Sequence, residues 1–481
     1  MTGVDAVPHE PSSVPKRVMG FRDLVLFYVV TGVSLRWIAT AASHGPSSLV
    51  VWLLGWLFLY IPLAFSVIEL SSRYPAEGGF YVWTKKAFGE GAGFLSAWTY
   101  WVSNLPYFPG VLYFAASNIL FLNPALQRYS QKPAYFVSFA VFILVVLTAL
   151  NILGLNLAKW AHNLGALAMW VPVVIILVLG IVAWRQFGAA NRFSLHTLVP
   201  ATHVPDMIFW SVVIFSFIGC ESASLMAEEI KDARRNIPRA LLLSGIIVAF
   251  CYMVGTFAVL LALPSAESTN LDGLAQAIER VCSRLHIGGL TSFAALLIAF
   301  SNIGAAGAYL AAAARLPFVA GLDGYLPHVF GELHPRFKTP WASVLGQGVF
   351  GILFVFLGQA GTTVGGAYNI LVAIAVVITM VPFLFLFASM IRLQREPPPV
   401  GTIRVPGGPP VAILLGCVGF ATAAFATFLS LIPPPEETHK QLFVLKILVS
   451  TAALVGLGLL LYYLARRRLT LEASSRNLAS Q

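Results

Sequence analysis

The 481-residue sequence predicts an all-α polytopic membrane protein with twelve transmembrane helices. Hydrophobic residues make up 58% of the chain and charged residues only 10%, whereas an average soluble domain carries about 25% charged residues. The apolar runs are too long for strands and lack the alternation of a barrel, so the spans are helical. Twelve helices of about 20 residues take about half of the chain. This composition excludes a doubly wound cofactor enzyme, a secreted disulfide scaffold and a disordered chain.

Polar or Gly/Pro clusters separate the twelve apolar runs. We place the spans near 21–44, 48–71, 91–121, 133–154, 163–184, 207–228, 240–263, 289–314, 341–358, 366–391, 410–432 and 441–464. The four cysteines have no CxxC spacing, so we expect no metal site, no disulfide scaffold and no bound cofactor.

Basic residues predict the orientation of the spans, because Lys and Arg collect in cytoplasmic loops. With the amino terminus inside, 21 of the 30 Lys and Arg residues lie on the cytoplasmic side, eight lie outside, and Arg36 lies within the first span. We therefore expect a multi-pass protein of the cytoplasmic (inner) membrane. Both termini are predicted to be cytoplasmic, in tails 1–18 and 466–481. This distribution explains the net charge of +10 without a nucleic-acid partner.

One predicted outer connection has a helical pattern of its own. Apolar residues recur at helical spacing between spans seven and eight, at Leu271, Leu274, Ala275, Ile278, Cys282 and Leu285. The pattern predicts an amphipathic helix on the outer face. This helix is either a passive surface element or a lid over an outer vestibule.

The first and sixth spans are each interrupted near their middle. The interruptions are Thr31-Gly32-Val33-Ser34 and Phe217-Ile218-Gly219-Cys220. A matched pair of Gly-interrupted spans is typical of a transporter binding site between inverted repeats. Freed N–H groups can bind a substrate carboxylate, and freed carbonyl groups can bind an ammonium. The alternative is that these glycines only allow close helix packing.

Two charged residues, Arg36 and Glu221, lie within about a turn of the interruptions. A charge at the bilayer centre costs about 2.5–3.5 kcal/mol on insertion scales, so such residues usually face an interior and mark function. Arg36 is a pocket charge, an ion-pair partner or a side chain that extends to the outer interface. Glu221 is a structural carboxylate or a gating or proton-coupling group. Glu228 and Glu229 precede a basic loop, and we interpret them as a solvated helix end.

No motif indicates an enzyme or an ATP-driven pump. The sequence has no HExxH pattern and no phosphate-binding loop, and its histidines lie in loops, in tails or at one span end.

Several motifs resemble those of the amino acid–polyamine–organocation permeases. Segment 73–83, RYPAEGGFYVW, resembles the first cytoplasmic loop of that superfamily. Segment 215–224, FSFIGCESAS, resembles its broken sixth helix, especially that of bacterial arginine/agmatine-type antiporters. Segment 323–327, DGYLP, also fits. The resemblance covers about residues 20–465.

The resemblance implies a LeuT-like fold and a set of site residues. Two inverted repeats of five helices would lie within 19–184 and 185–391, followed by two further helices in 392–465. The substrate would bind at the two broken helices, through Thr31, Gly32, Val33, Ser34, Ser216, Ile218 and Gly219. Phe215 matches an aromatic residue that covers the substrate, and Tyr309 one that lines the pocket. We assign gating or proton coupling to Tyr100 and Glu221 on this basis, together with Arg36.

The sequence also departs from the family pattern. The family usually has Gly-small-Gly at the first interruption, and only Gly32 remains here. Pro172 falls where many members have a lysine in the fifth helix. Phe383 and Phe385 fall where antiporter relatives can have a gate tyrosine. No acidic cluster for a guanidinium group is evident.

We predict a secondary active transporter of amino acids or related amines that works by alternating access, with proton coupling or exchange. Its partners are a small-molecule substrate, the lipid bilayer and protons, and it is a monomer or a homodimer. The alternatives are a polyamine transporter and a non-transporting amino acid sensor or structural partner, which would bind its ligand without moving it.

Overall fold

The structure, a computed structural model, describes residues 17–76, 78–200, 203–219, 221–267, 273–359, 364–433 and 440–479. Five sequence predictions therefore fall partly outside the described residues: the tail up to residue 16, Glu77 of the first-loop motif, Cys220 of the second interruption, Leu271 of the amphipathic segment, and residues 480–481 of the second tail. Within the described residues, the regular structure is helical except for one isolated bridge between Met19 and Ile230.

The described residues of the first half of the chain form eight α-helices. In chain order they are α1 (Phe21–Gly32), α2 (Leu35–Ser43), α3 (Ser48–Gly55), α4 (Ile61–Arg73), α5 (Phe80–Phe88), α6 (Glu90–Ile119), α7 (Pro133–Leu153) and α8 (Leu155–Phe187). A π-helical turn, Trp56–Tyr60, joins α3 to α4 without a break. Gly154 separates α7 from α8 with a φ of +128°, a conformation that favours glycine.

Ten further α-helices follow among the residues that the structure describes. They are α9 (Leu195–Leu198), α10 (Val204–Ser216), α11 (Ala233–Ala262), α12 (Gly273–Arg284), α13 (Leu290–Ala313), α14 (Arg315–Leu322), α15 (Trp341–Gln359), α16 (Val364–Leu393), α17 (Gly408–Ser430) and α18 (Lys440–Ala479). A 3₁₀-helix, Ser222–Glu229, lies between α10 and α11.

The described residues contain ten helical stretches that are long and apolar enough to cross a membrane. The chain is therefore a multi-pass membrane protein. An eleventh apolar helix, Trp341–Leu357, is shorter. The sixth predicted span is divided by its interruption, so neither half has spanning length by itself. Each of the twelve predicted runs contains helix, while twelve as the number of spans stays a prediction.

The helices pack around α6, α8 and α13. Helix α13 lies against both α6 and α8, while α1 lies against α8 and α11. Small residues allow the closest approach: a Cβ atom on Gly165 would lie 2.8 Å from the Cα atom of Gly304. Helices in membranes associate through such small-residue contacts, because lipid provides little hydrophobic driving force.

Both described chain ends lie at one face of the molecule, which we call the terminal face. Here the Lys231 N–H donates to the Met19 carbonyl oxygen over 2.9 Å. Near the other end of the chain, Arg468 Nη2 donates to the Gly324 carbonyl oxygen over 2.8 Å.

A polar cluster on the terminal face joins α5 to the segment after α14. The carboxylate of Asp323 accepts hydrogen bonds from the Tyr81 hydroxyl and from Lys85 Nζ. Tyr325 donates to Glu90 Oε2 over 2.6 Å. Burial, and then the hydrogen bond and charge of Asp323, raise the pKa of Tyr81 above its usual range. The Tyr81 phenol therefore stays a neutral donor.

The predicted amphipathic helix is confirmed as α12. Its apolar side chains Leu274, Ile278 and Cys282 are buried, and the helix packs on α2, α8 and α13. An ion pair between Arg280 and Glu267 lies beside it. The helix thus packs its apolar side on the bundle, while its location on the outer face and its role as a lid stay predictions.

Candidate functional site

Both predicted interruptions are real breaks in the helices. Helix α1 ends at Gly32, Val33 and Ser34 are extended with φ values of −112° and −127°, and α2 begins at Leu35. Helix α10 ends at Ser216 and a turn follows over residues 217–219. Because helix ends have N–H and C=O groups without intrahelical partners, both breaks expose backbone polar groups inside the protein.

The two breaks lie in direct contact with each other. Thr31 Oγ1 lies within hydrogen-bond distance of the Gly219 carbonyl oxygen, at 2.9 Å, although the residues are 188 positions apart. A Cβ atom on Gly219 would lie only 2.3 Å from the Thr31 carbonyl oxygen, and the φ of Gly219 is +119°. Both the space and the backbone conformation therefore require glycine at this position.

Two tyrosines satisfy part of the freed backbone. The Tyr309 hydroxyl lies 2.8 Å from the Thr31 carbonyl oxygen and 3.3 Å from that of Ile218. The Tyr252 hydroxyl lies 3.1 Å from the Gly32 carbonyl oxygen and 3.0 Å from that of Ser216. Each phenol has one proton, so it donates to only one carbonyl of its pair at a time. The breaks therefore present more acceptors than these two hydroxyls can serve.

Tyr252 is held in place by aromatic packing. Its ring stacks on Trp52 with centroids 4.2 Å apart and an interplanar angle of 4°, and the Phe217 ring meets it edge-on. The Tyr252 hydroxyl also accepts a hydrogen bond from the Ser34 N–H over 3.0 Å. These contacts fix the hydroxyl between the two breaks.

Glu221 lies just after the second break and is fully buried. Its Oε2 accepts a hydrogen bond from the Gly219 N–H over 2.8 Å, and its Oε1 accepts one from the Tyr100 hydroxyl over 2.8 Å. Both donors are neutral. The carboxyl group thus connects the second break to α6.

Arg36 is the second residue of α2 and is only 2% exposed. Its guanidinium carbon lies 4.0 Å from the Trp37 ring centroid and 5.3 Å from that of Tyr107. Such cation–π contacts contribute about 0.5–2 kcal/mol each, more when desolvated.

A cavity lies between the two breaks and α6. Its volume is about 480 Å³. Phe215 covers one side and meets Trp37 edge-on, with ring centroids 5.9 Å apart. The Ser34 hydroxyl borders the cavity, is buried, and has no hydrogen-bond partner among the described residues.

Most of the predicted site residues line this cavity. They are Thr31, Ser34, Arg36, Tyr100, Phe215, Ser216, Ile218 and Tyr309. The others are adjacent: Gly32 and Gly219 contribute backbone carbonyl groups to the contacts of the breaks, Glu221 lies behind Tyr100, and the Val33 side chain is buried outside the lining.

Several lining residues were missing from the sequence prediction. Ser103, Asn104 and Tyr107 were missed, although with the predicted Tyr100 they form a polar stripe along α6 with spacings of three and four residues, which is one face of a helix. Trp37, Tyr252 and Thr379 also line the cavity. No spacing rule connects Tyr252 to the breaks, because its contacts depend on how α11 packs.

One sequence interpretation was wrong. Glu229 is not a solvated helix end but is buried, with its Oε1 atom 2.8 Å from Arg315 Nε and 2.6 Å from Nη2. Helix α14 brings this arginine under the 3₁₀-helix. Of the departures from the family pattern, Phe383 packs against Phe80, and Pro172 is buried in α8 outside the cavity lining.

Comparison with known proteins identifies the family. A model of the amino acid permease family matches residues 20–453. An uncharacterized transporter of Legionella pneumophila is 28% identical over 432 residues, which cover 89% of this chain and 92% of the relative. A glutamate/gamma-aminobutyrate antiporter of Lactococcus lactis is 25% identical over 94% of this chain and 91% of its own length.

A probable agmatine/putrescine antiporter of Lactococcus lactis is 23% identical over 66% of this chain and 67% of its own length. The family and the named relatives are transporters rather than enzymes. The chain therefore belongs to the amino acid permease family, within the amino acid–polyamine–organocation superfamily.

Proposed function

We propose that the protein is a secondary active transporter that binds an amino acid or related amine between the two breaks. The observation that supports this most is the surplus of acceptors around Tyr252 and Tyr309. A substrate ammonium has three donors and can serve the carbonyl oxygens that the two phenols leave without a proton. The first N–H groups of α2 can bind the substrate carboxylate, because a helix amino end carries partial positive charge.

Alternating access is proposed to move the substrate past this site. In the expected five-plus-five inverted repeat, the breaks in the first and sixth spans lie at corresponding positions, so rocking of one repeat changes which side is open. Under this proposal, the terminal face is cytoplasmic and the chain lies in the cytoplasmic membrane.

Proton coupling or gating is proposed to involve Glu221, Tyr100 and Arg36. The support is geometric. Tyr100 lines the cavity and donates to Glu221, and Glu221 accepts from the Gly219 N–H. A change in the protonation of this carboxyl group would therefore alter hydrogen bonds both at the cavity lining and at the second break.

Two alternative functions would use the same site. A polyamine transporter is supported by the name of one relative, an agmatine/putrescine antiporter. A sensor would bind a ligand between the breaks without moving it. Flux separates the sensor from both transporters, and the substrate panel separates the two transporters.

The test is uptake of labelled amino acids and amines by purified protein in proteoliposomes, with and without a proton gradient. A thermal-shift screen of the same panel identifies ligands first, because a ligand at 100 times its Kd stabilises the folded state by about 2.7 kcal/mol. We expect flux of at least one thermal-shift ligand. Binding without flux would favour the sensor, and folded protein with neither would refute a role for this site with such ligands.

A further inference from the structure

We propose that an anionic phospholipid binds to Arg466 and Arg467, at the point where α18 leaves the membrane on the terminal face. This inference goes beyond the proposed transport function and does not depend on it. Three observations carry it: an exposed apolar helix of membrane thickness, two exposed cations directly after it, and contact between this helix end and the polar cluster of the terminal face.

Helix α18 has the length and the exposure of a lipid-facing helix. Residues 447–465 contain no charged side chain. At 1.5 Å per residue this segment is about 28 Å long, close to the roughly 30 Å of a bilayer's hydrocarbon core. Only 11% of the most apolar part of the helix is buried within the protein. Lys446 and Arg466, which flank the segment, therefore lie at opposite membrane surfaces.

The two arginines continue the exposed apolar side of the helix. Leu460 and Tyr463 are exposed, and Arg467 follows them on the same side at spacings of seven and four residues. The exposed Leu459 precedes Arg466 by seven residues in the same way. Long side chains on a helix lean toward its amino end, which here is the direction of the membrane. An acyl chain on the apolar side and a phosphate at the guanidinium groups therefore belong to one molecule, a phospholipid.

Both guanidinium groups are available to such a phosphate. Arg466 and Arg467 are exposed, and their side chains have no hydrogen bond or ion pair within the part of the chain that the structure describes. The next residue differs, because Arg468 donates to the Gly324 carbonyl oxygen and lies 3.7 Å from a Glu472 carboxylate oxygen. A guanidinium group binds phosphate well because its N–H donors match two phosphate oxygens at once.

The same end of α18 contacts the segment that carries the polar cluster of the terminal face. Tyr462 packs against Tyr325 with ring centroids 5.1 Å apart. Leu469 lies against Gly324, where a Cβ atom would be 3.2 Å from the leucine Cδ2 atom. The neighbouring Asp323 binds side chains of α5. A lipid that holds the end of α18 therefore stabilises this side of the protein.

The wild-type test measures thermal unfolding of the purified protein in vesicles of phosphatidylcholine that contain increasing fractions of phosphatidylglycerol. A ligand of the folded state raises the melting temperature by mass action, so we expect a saturable rise that weakens as salt is added. Inorganic phosphate in phosphatidylcholine vesicles, at matched ionic strength, should give no comparable rise. A melting temperature that does not respond to phosphatidylglycerol, or that phosphate raises equally, would overturn the proposal.

The variant test is Arg466→Gln/Arg467→Gln, with Arg466→Lys/Arg467→Lys as the variant that keeps the charge. One basic side chain near an anionic membrane surface contributes about fivefold in affinity. We therefore expect phosphatidylglycerol to bind the double glutamine variant about 25-fold more weakly and the double lysine variant to keep part of the response. A double glutamine variant with the full wild-type response would show that these arginines do not form the site.

Lys446→Gln is the matched control for the single variant Arg467→Gln. Each removes one exposed charge from the same helix, but Lys446 lies at the other membrane surface. We expect Arg467→Gln to weaken the response about fivefold and Lys446→Gln to leave it unchanged. Equal losses in the two variants would mean that phosphatidylglycerol acts through the overall charge of the protein, and the site would be refuted.

Direct detection of the lipid completes the test. The four substituted proteins change exposed side chains, and their melting temperatures in phosphatidylcholine alone show whether they fold like the wild type. Native mass spectrometry of protein released from the mixed vesicles then measures how much phosphatidylglycerol remains bound. We expect the wild type to retain it and the double glutamine variant to lose it, whereas equal retention would contradict the proposal. None of these measurements uses flux, so a failed transport function leaves this proposal testable.

Discussion

The segment after the second break contains two buried carboxyl groups that the protein stabilises in opposite ways. Glu221 receives hydrogen bonds from a backbone N–H and a phenol, both of which are neutral. Glu229 contacts the guanidinium group of Arg315, which is itself only 2% exposed. The first group lies beside the cavity, and the second lies where the 3₁₀-helix ends near the terminal face.

The difference concerns what happens when a proton is added. Protonation of Glu221 leaves no unmatched cation among its two donors. Protonation of Glu229 would leave the buried guanidinium of Arg315 without its counter-charge, which is costly in a low-dielectric interior. The Glu221 arrangement therefore suits a group that changes its protonation during a transport cycle, whereas the Glu229 arrangement suits a permanent connection.

The largest expected effect comes from breaking the permanent connection. Arg315→Met leaves Glu229 as an uncompensated buried charge, so we expect a loss of about 3–5 kcal/mol of folding stability. Thermal unfolding of the purified protein measures it. The double variant Arg315→Met/Glu229→Met should recover most of the loss, because well-packed apolar residues often replace a buried ion pair without cost. An Arg315→Met protein as stable as the wild type would show that the ion pair does not contribute to folding stability.

The next effect comes from the break itself. Gly219→Ala places a Cβ atom against the Thr31 carbonyl oxygen and forces alanine into a positive φ, which costs about 1–3 kcal/mol in backbone strain alone. We expect uptake to be abolished, because the two breaks can no longer touch. Gly456→Ala is the control, since a Cβ atom there meets nothing within 4 Å. Normal uptake by Gly219→Ala would mean that the close contact between the breaks is dispensable.

The breaks could be predicted from the sequence because their cause is local. Glycine within an apolar run weakens the helix where it occurs: α1 ends at Gly32, and Gly219 lies in the turn that follows α10. The helix α12 was equally visible, since its apolar side follows the helical period. Arg36 and Glu221 were identified because charge is rare in such runs.

The remaining parts of the site depend on packing between distant segments. Tyr252 contacts the Gly32 carbonyl oxygen across 220 positions of sequence. The sequence around this tyrosine contains no pattern that predicts the contact. Glu229 looked solvated because it precedes a basic loop, yet α14 covers it with an arginine. The polar stripe of α6 is different, because its spacing was present in the sequence.

A smaller loss of stability is expected from Glu221→Gln, and this variant tests whether Glu221 and Glu229 differ in function. Glu221→Gln keeps the shape but replaces one acceptor with a donor that faces the Gly219 N–H or the Tyr100 hydroxyl, so we expect a cost of about 1–3 kcal/mol. Under the proposed coupling, its uptake should no longer vary with pH or with a proton gradient. The measurement is uptake as a function of pH in the wild type and in Glu221→Gln.

Glu229→Gln is the matched control for that experiment. It removes the same charge from the same segment, so it should lower the melting temperature but keep the pH dependence of whatever uptake remains. If both variants keep the pH dependence, Glu221 is not the coupling group. If both lose it, proximity to the cavity is not what distinguishes the two carboxyl groups.

The smallest effect is expected at a third carboxyl group, Asp323 on the terminal face. Its side chain and that of Lys85 are each 33% exposed, so solvent screens their ion pair and Asp323→Asn should cost about 0.2–1 kcal/mol. The cost should shrink as salt is added, because exposed charges are screened more than buried ones. Thermal unfolding of Asp323→Asn and Arg315→Met at low and high salt compares the two losses of stability and their salt dependence. A loss at Asp323 as large and as salt-independent as that at Arg315 would show that burial is not what sets the strength of these three contacts.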